Sequence, residues 1–222
     1  MASPERCIYL FGADRPWFAD DWVASDDRVR GGKSQSYLDG PTSSSSNAAT
    51  FRGQLDITAL GGAGFASQRS PDAQRWDLSN CQKLRLKVNK SDGKKYTLIL
   101  KDETPSKRPD GREQSTISWE YDFTSQETEL DIPWDDFKPT YRGKPKPEAE
   151  PLDLSNVNRI SIMMRSFFGA QEGPFKLEIQ YIAAITSDDK SKLASSYPQS
   201  EARSSISSLE REKQGMTSRE AK

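Results

Sequence analysis

Between Ile117 and Phe123 the chain reads ISWEYDF, with Ile117, Trp119, Tyr121 and Phe123 separated by polar residues. A period of two places these four side chains on one face of a strand. It excludes an amphipathic helix, whose apolar positions recur every three to four residues. The same alternation marks Leu84, Leu86 and Val88; Tyr96, Leu98 and Leu100; Ile160, Ile162 and Met164; and Phe175, Leu177, Ile179 and Tyr181. Shorter candidates lie at 7–11, 34–38, 51–57, 64–69 and 129–132. The links between them are rich in Gly, Pro, Asp, Asn and Ser, the residues of turns. Many short strands joined this way predict an all-β chain folded as an antiparallel sandwich or barrel.

Two of the strands share an entry. DLSNCQKLRLKV begins at Asp77 and DLSNVNRISIMM at Asp153: four identical residues, two spacers, a basic residue, then an alternating run. Asp and Asn side chains bond nearby backbone, so the echo reads as two similar strand entries into a sheet and not as a solenoid. Three interruptions read as loops: 39–50 (DGPTSSSSNAAT), 104–115 with its Pro-Asp-Gly, and the proline-rich, basic 138–151 (KPTYRGKPKPEAEP). Hydrophobic residues make up 33% of the chain and charged ones 29%, so part of its length stays outside a core. That part is the end. The expected organisation is a sandwich over 1–186 and a disordered Ser-rich, mixed-charge tail over 187–222, with at most a transient helix at 206–214.

The chemistry is narrowed by what is missing. Histidine is absent, which removes His-based catalytic triads and nearly every zinc site; the two cysteines, Cys7 and Cys81, cannot close one. They read as buried reduced thiols. Net charge is −1, which argues against a nucleic-acid surface. No apolar run reaches membrane-spanning length, and the opening MASPERCIYLFGADRPW lacks the layout of a secretory signal. An intracellular protein without cofactor or metal is expected. The tetrapeptide Gly31-Gly32-Lys33-Ser34 imitates a phosphate-binding loop, but Asp27 stands where that loop needs a glycine, and the lead-in is acidic. The glycines at 61, 62 and 64 lack dinucleotide-binding spacing and read as a turn. The adjacent carboxylates Asp20-Asp21, Asp26-Asp27 and Asp135-Asp136 read as solvated turns, and no calcium-loop spacing appears. Trp119 falls in the core register of its strand; Trp76 and Trp134 read as plugs at the sandwich ends, while Trp17 and Trp22 are unassigned.

Five stretches, taken in order, resemble the complex I intermediate-associated protein 30 family. They are DRVRGGKSQS (27–36), FRG (51–53), GFASQRS (64–70), IPWDDFKPTYRG (132–143) and GPFKLEIQYIAAI (173–185). The first and fourth are the most specific, and GGKS becomes part of a DR-x-x-GG-x-S signature. The resemblance implies a galactose-binding-like β-sandwich of jelly-roll type. It also implies a non-enzymatic, chaperone-like assembly factor for respiratory complex I, whose partners are complex I subunits or assembly intermediates. A mitochondrial address is implied too; with no recognisable presequence, the cytoplasm is the alternative. The contact surface expected on this basis comprises Asp27, Arg28, Gly31, Gly32 and Ser34 of the signature, Arg69, and Tyr141 and Arg142 of the basic loop. Competing uses of the same residues are turn geometry for the glycines, pairing of Arg28 with Asp26 or Asp27, an outward strand position for Arg69, and simple solvation of the basic loop. Docking is expected of Arg142 and bracing of Arg28. A carbohydrate-binding module is the second reading, since such sandwiches bind sugars on aromatic platforms; a carboxylate hydrolase is the third.

Overall fold

The computed structural model describes residues 5–41, 47–71, 74–109, 111, 113–124 and 128–187. The tail expected beyond 187 lies outside the described residues. Within them the regular elements are thirteen strands and four short 3-10 turns, with no α-helix. The strands are β1 (Glu5–Gly12), β2 (Val23–Ala24), β3 (Gln35–Asp39), β4 (Ala49–Leu55), β5 (Phe65–Arg69), β6 (Lys83–Ser91), β7 (Lys95–Lys101), β8 (Ser118–Thr124), β9 (Glu129–Pro133), β10 (Lys138–Tyr141), β11 (Lys144–Pro145), β12 (Arg159–Arg165) and β13 (Gly173–Ser187).

All pairings are antiparallel, and they build two sheets. The first runs β3-β4-β13-β6-β9, with β1 also on β13; the second runs β11-β10-β8-β7-β12-β5-β2. The period-two side chains meet between them. Leu84 and Leu86 of β6, Tyr96, Leu98 and Leu100 of β7, Ile160, Ile162 and Met164 of β12, and Leu177 and Ile179 of β13 are each at most 1% exposed. Burying a Leu or Ile side chain fully is worth about 1.5–3 kcal/mol, so this two-sided core carries the sandwich. No described helix is long and apolar enough to cross a membrane.

Three features depart from the expectations. The proline-rich segment 138–151 contains a hairpin, β10–β11, at the outer edge of the second sheet. β11 is the edge strand and has one row of unpaired groups, so Pro145 loses no ladder bond there, while Pro139 of β10 still accepts from the Lys146 N–H at 2.9 Å. Its turn residues Arg142 and Gly143 have φ of 54° and 74°, as a type I′ hairpin turn demands. Second, the two DLSN entries feed opposite sheets, β6 and β12, and bond to each other: Trp76 and Val157 exchange backbone hydrogen bonds of 2.8 and 3.2 Å. Asp77 and Asp153 accept from Ser79 and Ser155 in the same local turn. Third, β13 is longer than its alternating stretch. Ala183 lies between Tyr9 and Arg85 and is fully buried. On the outer face of this sheet Arg85 pairs with Glu5 and Asp131, and so does Lys83.

The tryptophans pack inward. Trp17, Trp22, Trp76 and Trp119 are buried, and Phe11 gathers the first three with ring centroids 4.8–5.8 Å away. Trp134 is half-buried and donates to the carbonyl of Cys81 at 2.7 Å. Both cysteines are free thiols; Cys81 is buried, whereas Cys7 is half-buried on β1.

Candidate functional site

The signature turn is built from the inside. Residues Asp27–Arg30 form a 3-10 turn that ends at Gly31, whose φ of 85° is left-handed. Gly32 follows because nothing larger fits: a Cβ there would stand 2.2 Å from the Asp27 carboxyl carbon. Asp27 is completely buried and accepts three hydrogen bonds, from the Ser34 N–H (3.0 Å), the Ser34 hydroxyl (2.7 Å) and the Phe65 N–H (3.0 Å). Asp26 repeats the pattern two residues further along both strands. It accepts from the Ser36 N–H (3.1 Å), the Ser36 hydroxyl (2.6 Å) and the Ser67 N–H (2.9 Å). The Gln68 amide then donates to the Ser36 carbonyl at 3.0 Å. Two consecutive carboxylates thus clasp β3, an edge of one sheet, to β5 of the other. They stand in for a neighbouring strand along an edge that would otherwise be open.

This corrects several expectations. Asp26-Asp27 is no solvated turn, although Asp20, Asp135 and Asp136 are exposed. Asp27 and Ser34 are fully buried, so neither reaches a partner directly. Arg28 does not brace the acidic pair, because serines and backbone amides already occupy both carboxylates. It is exposed and forms no ion pair among the described residues. The signal in the sequence was the spacing: two adjacent aspartates followed by serines at alternate positions, 34 and 36.

Arg69 is outward-facing but engaged. It pairs with Glu113 at 3.2 Å, and Arg159 pairs with the same carboxylate at 2.9 Å. Lys101 alongside donates to the Thr116 hydroxyl (2.7 Å) and to the carbonyls of Thr116 and Ile117 (3.3 and 3.1 Å). Burial first, then the nearby Arg159, lowers its pKa to about 8. These contacts fasten residues 113–117 across the outer face of the second sheet.

The basic hairpin is open by contrast. Tyr141 is 37% exposed, and the Arg142 guanidinium lies 5.4 Å from its ring centroid. The Arg142 Nε donates to the Ser115 hydroxyl at 3.2 Å, and no acid pairs with it among the described residues. Lys144 is also exposed. The eight expected contact residues therefore do not form one surface. The hairpin and the signature lie toward opposite edges of the seven-stranded sheet, with β8, β7 and β12 between β10 and β5. Four strand spacings of about 4.8 Å separate β10 from β5 by roughly 19 Å. Arg69 links them only indirectly, through the loop that carries Glu113 and Ser115.

A cleft of about 310 Å³ adjoins the signature, lined by Trp22, Arg28, Gln35, Tyr37, Asp39 and Gln68 among others. Tyr37 is 41% exposed, and Arg52 lies 4.8 Å from its ring while also pairing with Asp39.

Comparison with known proteins places this geometry. The chain is 42% identical over 189 residues to an uncharacterised protein of Schizosaccharomyces pombe, a match spanning 80% of this chain and 84% of that one. Its fold is similar to the family 11 carbohydrate-binding module of the cellulosomal cellulase Lic26A-Cel5E of Clostridium thermocellum. The TM-score is 0.53 at 18% identity, over 84% of this chain and 97% of that one. The same module solved in complex with a β-1,3-1,4-mixed-linked tetrasaccharide matches equally, over 98% of its length. At that identity the likeness shows the sandwich fold alone. The family described as complex I intermediate-associated protein 30 matches residues 11–179, which contain the clasp, the cleft and the hairpin. The chain belongs to the complex I intermediate-associated protein 30 family.

Proposed function

We propose that the chain is a non-enzymatic, chaperone-like scaffold that binds subunits or assembly intermediates of complex I, with the β10–β11 hairpin as its docking element. The observation that carries this reading is the state of Arg142. It sits in a left-handed backbone that costs a non-glycine residue about 1–2 kcal/mol, and its guanidinium is spread over Tyr141 at the surface with no acid paired to it among the described residues. Arginine and tyrosine together make strong interface anchors, because a planar cation and an amphipathic ring bind carboxylates and apolar surface at once. The family match supports the client class, and the same match supports a mitochondrial address. A non-catalytic role agrees with the absence of histidine and with the engagement of Lys101, Arg159 and Asp131 in contacts that hold loops and strands.

Affinity capture of complex I intermediates from mitochondria, with wild type beside Arg142→Ala and Tyr141→Ala, tests this. The reading expects capture by the wild type, its loss in both variants, and unchanged melting temperatures. Capture that survives both substitutions would remove the hairpin from the docking role.

Sugar binding is a second reading, favoured by the cleft that joins an exposed tyrosine to Arg28 and Gln35. The open ring of Tyr37 is already stacked by Arg52, which weakens it as a platform. Titration with the mixed-linked tetrasaccharide that the similar module holds separates the two readings. A saturable shift of Tyr37 and Trp22 resonances would favour the sugar.

A further inference from the structure

Three loops meet around Gly64 and Phe65, at a place the docking hairpin does not touch. The signature turn reaches it through Asp27, which accepts from the Phe65 N–H, and through Arg30, whose guanidinium lies 5.4 Å from the Phe65 ring centroid. The 57–64 loop, ITALGGAG, leads directly in. The 166–171 loop is anchored there by the Ser166 N–H, which donates to the Gly64 carbonyl at 2.9 Å.

What these loops expose is unusual. Val29 is 72% exposed between Arg28 and Arg30, and Phe168 is 99% exposed. The 57–64 loop has no charged residue, and Ala59 and Ala63 are exposed while Ile57 and Leu60 are half-buried. Asp56, just before it, is occupied by the Thr58 hydroxyl and the N–H groups of Thr58 and Ala59. Arg28, Arg30 and Lys33 form no ion pair among the described residues.

Phe168 is also held out against its own backbone preference. Phe167, Phe168 and Gly169 have consecutive φ values of 44°, 60° and 87°. The Gln171 side chain fixes this loop by bonding the Lys95 N–H and carbonyl and the Arg165 carbonyl (3.1, 2.7 and 2.7 Å). The Phe167 ring is held by two cations, Lys95 at 4.5 Å and Arg165 at 4.8 Å. Phe167 is anchored; Phe168 points to solvent and gains nothing for the free chain. Strain maintained for a fully exposed aromatic marks a contact made with something else.

We propose that this end of the sandwich adsorbs to an anionic lipid surface, with Phe168 and Val29 entering the headgroup boundary and Arg28, Arg30 and Lys33 meeting lipid phosphates. Apolar side chains on separate loop tips, flanked by cations that form no ion pair among the described residues, suit a fluid interface of negative charge, which can satisfy each group independently. Apolar insertion and basic attraction are the two signals that stable adsorption requires. The inference is independent of the complex I reading and of the hairpin.

The test is co-sedimentation of the full chain with vesicles of phosphatidylcholine alone and of phosphatidylcholine with about 30% phosphatidylserine. The proposal expects binding to the anionic vesicles, little to the neutral ones, and release in about 1 M salt. Val29→Ser combined with Phe168→Ser lowers binding about tenfold, and so does Arg28→Glu with Arg30→Glu, with melting temperatures unchanged. Lys144→Glu, on the distant hairpin, leaves it intact. Failure of the wild type to bind anionic vesicles at low salt overturns the proposal. So does binding that ignores Phe168, or that falls equally with Lys144→Glu. If Phe168→Ser instead abolishes capture of complex I intermediates while vesicles are not bound, the patch is a protein contact and the lipid assignment is wrong.

Discussion

The DR-x-x-GG-x-S turn and the β10–β11 hairpin are both basic, both glycine-containing and both inside the family match, yet they are built in opposite ways. In the turn, the acidic residues are inside and satisfied, and Gly32 makes room for Asp27. Six donors from Ser34, Ser36, Phe65 and Ser67 converge on two carboxylates. In the hairpin the polar groups face outward, and the strain sits on an arginine, Arg142. The difference teaches that a family motif can combine a buried frame with a few exposed residues, and that charge alone does not tell them apart.

The largest expected effect is at the frame. Asp27→Ala leaves the Ser34 N–H and the Phe65 N–H without their acceptor and the Ser34 hydroxyl with only the Asp56 carbonyl at 3.2 Å, which is expected to cost about 3–5 kcal/mol. Urea unfolding reads this directly, and a loss below about 1 kcal/mol would mean that the clasp is dispensable. Gly32→Ala comes next. Its Cβ would collide with the Asp27 carboxylate, so a loss of about 1–3 kcal/mol is expected, with the midpoint lowered and the m-value unchanged.

A smaller effect concerns pH. On the outer face of the first sheet, Arg85 and then Lys83 hold the Asp131 carboxyl down at about 2. The unfolded chain therefore binds the extra proton between about pH 2 and pH 4, and stability from this site is full above that window and lost as pH falls through it. Asp131→Asn should flatten the decline in urea midpoint between about pH 4 and pH 2 while leaving the signature clasp intact. The smallest effect is at the surface: Arg28→Ala and Arg142→Ala each change stability by less than about 0.5 kcal/mol.

The sandwich was legible because its strands alternate with period two, and each alternating run from Leu84 to Tyr181 lies in a strand apart from Ile117, one residue before β8. What escaped has physical causes. β10 and β11 were hidden because proline marks a loop until its neighbours are known, and here β11 is the edge strand and β10 lies next to it. The length of β13 was hidden because Ile182–Ile185 is buried without alternation, and that depends on neighbours such as Tyr9 and Arg85 distant in sequence. The site was legible in its glycines and less so in its charges. An Asp-Asp pair reads as solvent-facing until its donors are known, and Phe65 and Ser67, which supply half of the backbone N–H donors, lie some forty residues away. Phe168 gave no periodic signal, since exposure in a left-handed loop leaves no pattern.

The central claim, that the buried Asp26-Asp27 clasp is frame and the hairpin is the contact for complex I intermediates, is tested most directly by one paired measurement. Asp27→Asn and Arg142→Ala are compared in the full chain for melting temperature and for capture of complex I intermediates. The account predicts that Asp27→Asn melts well below wild type, whereas Arg142→Ala melts with wild type and loses capture. A wild-type melting temperature for Asp27→Asn, or a large drop for Arg142→Ala, would contradict it.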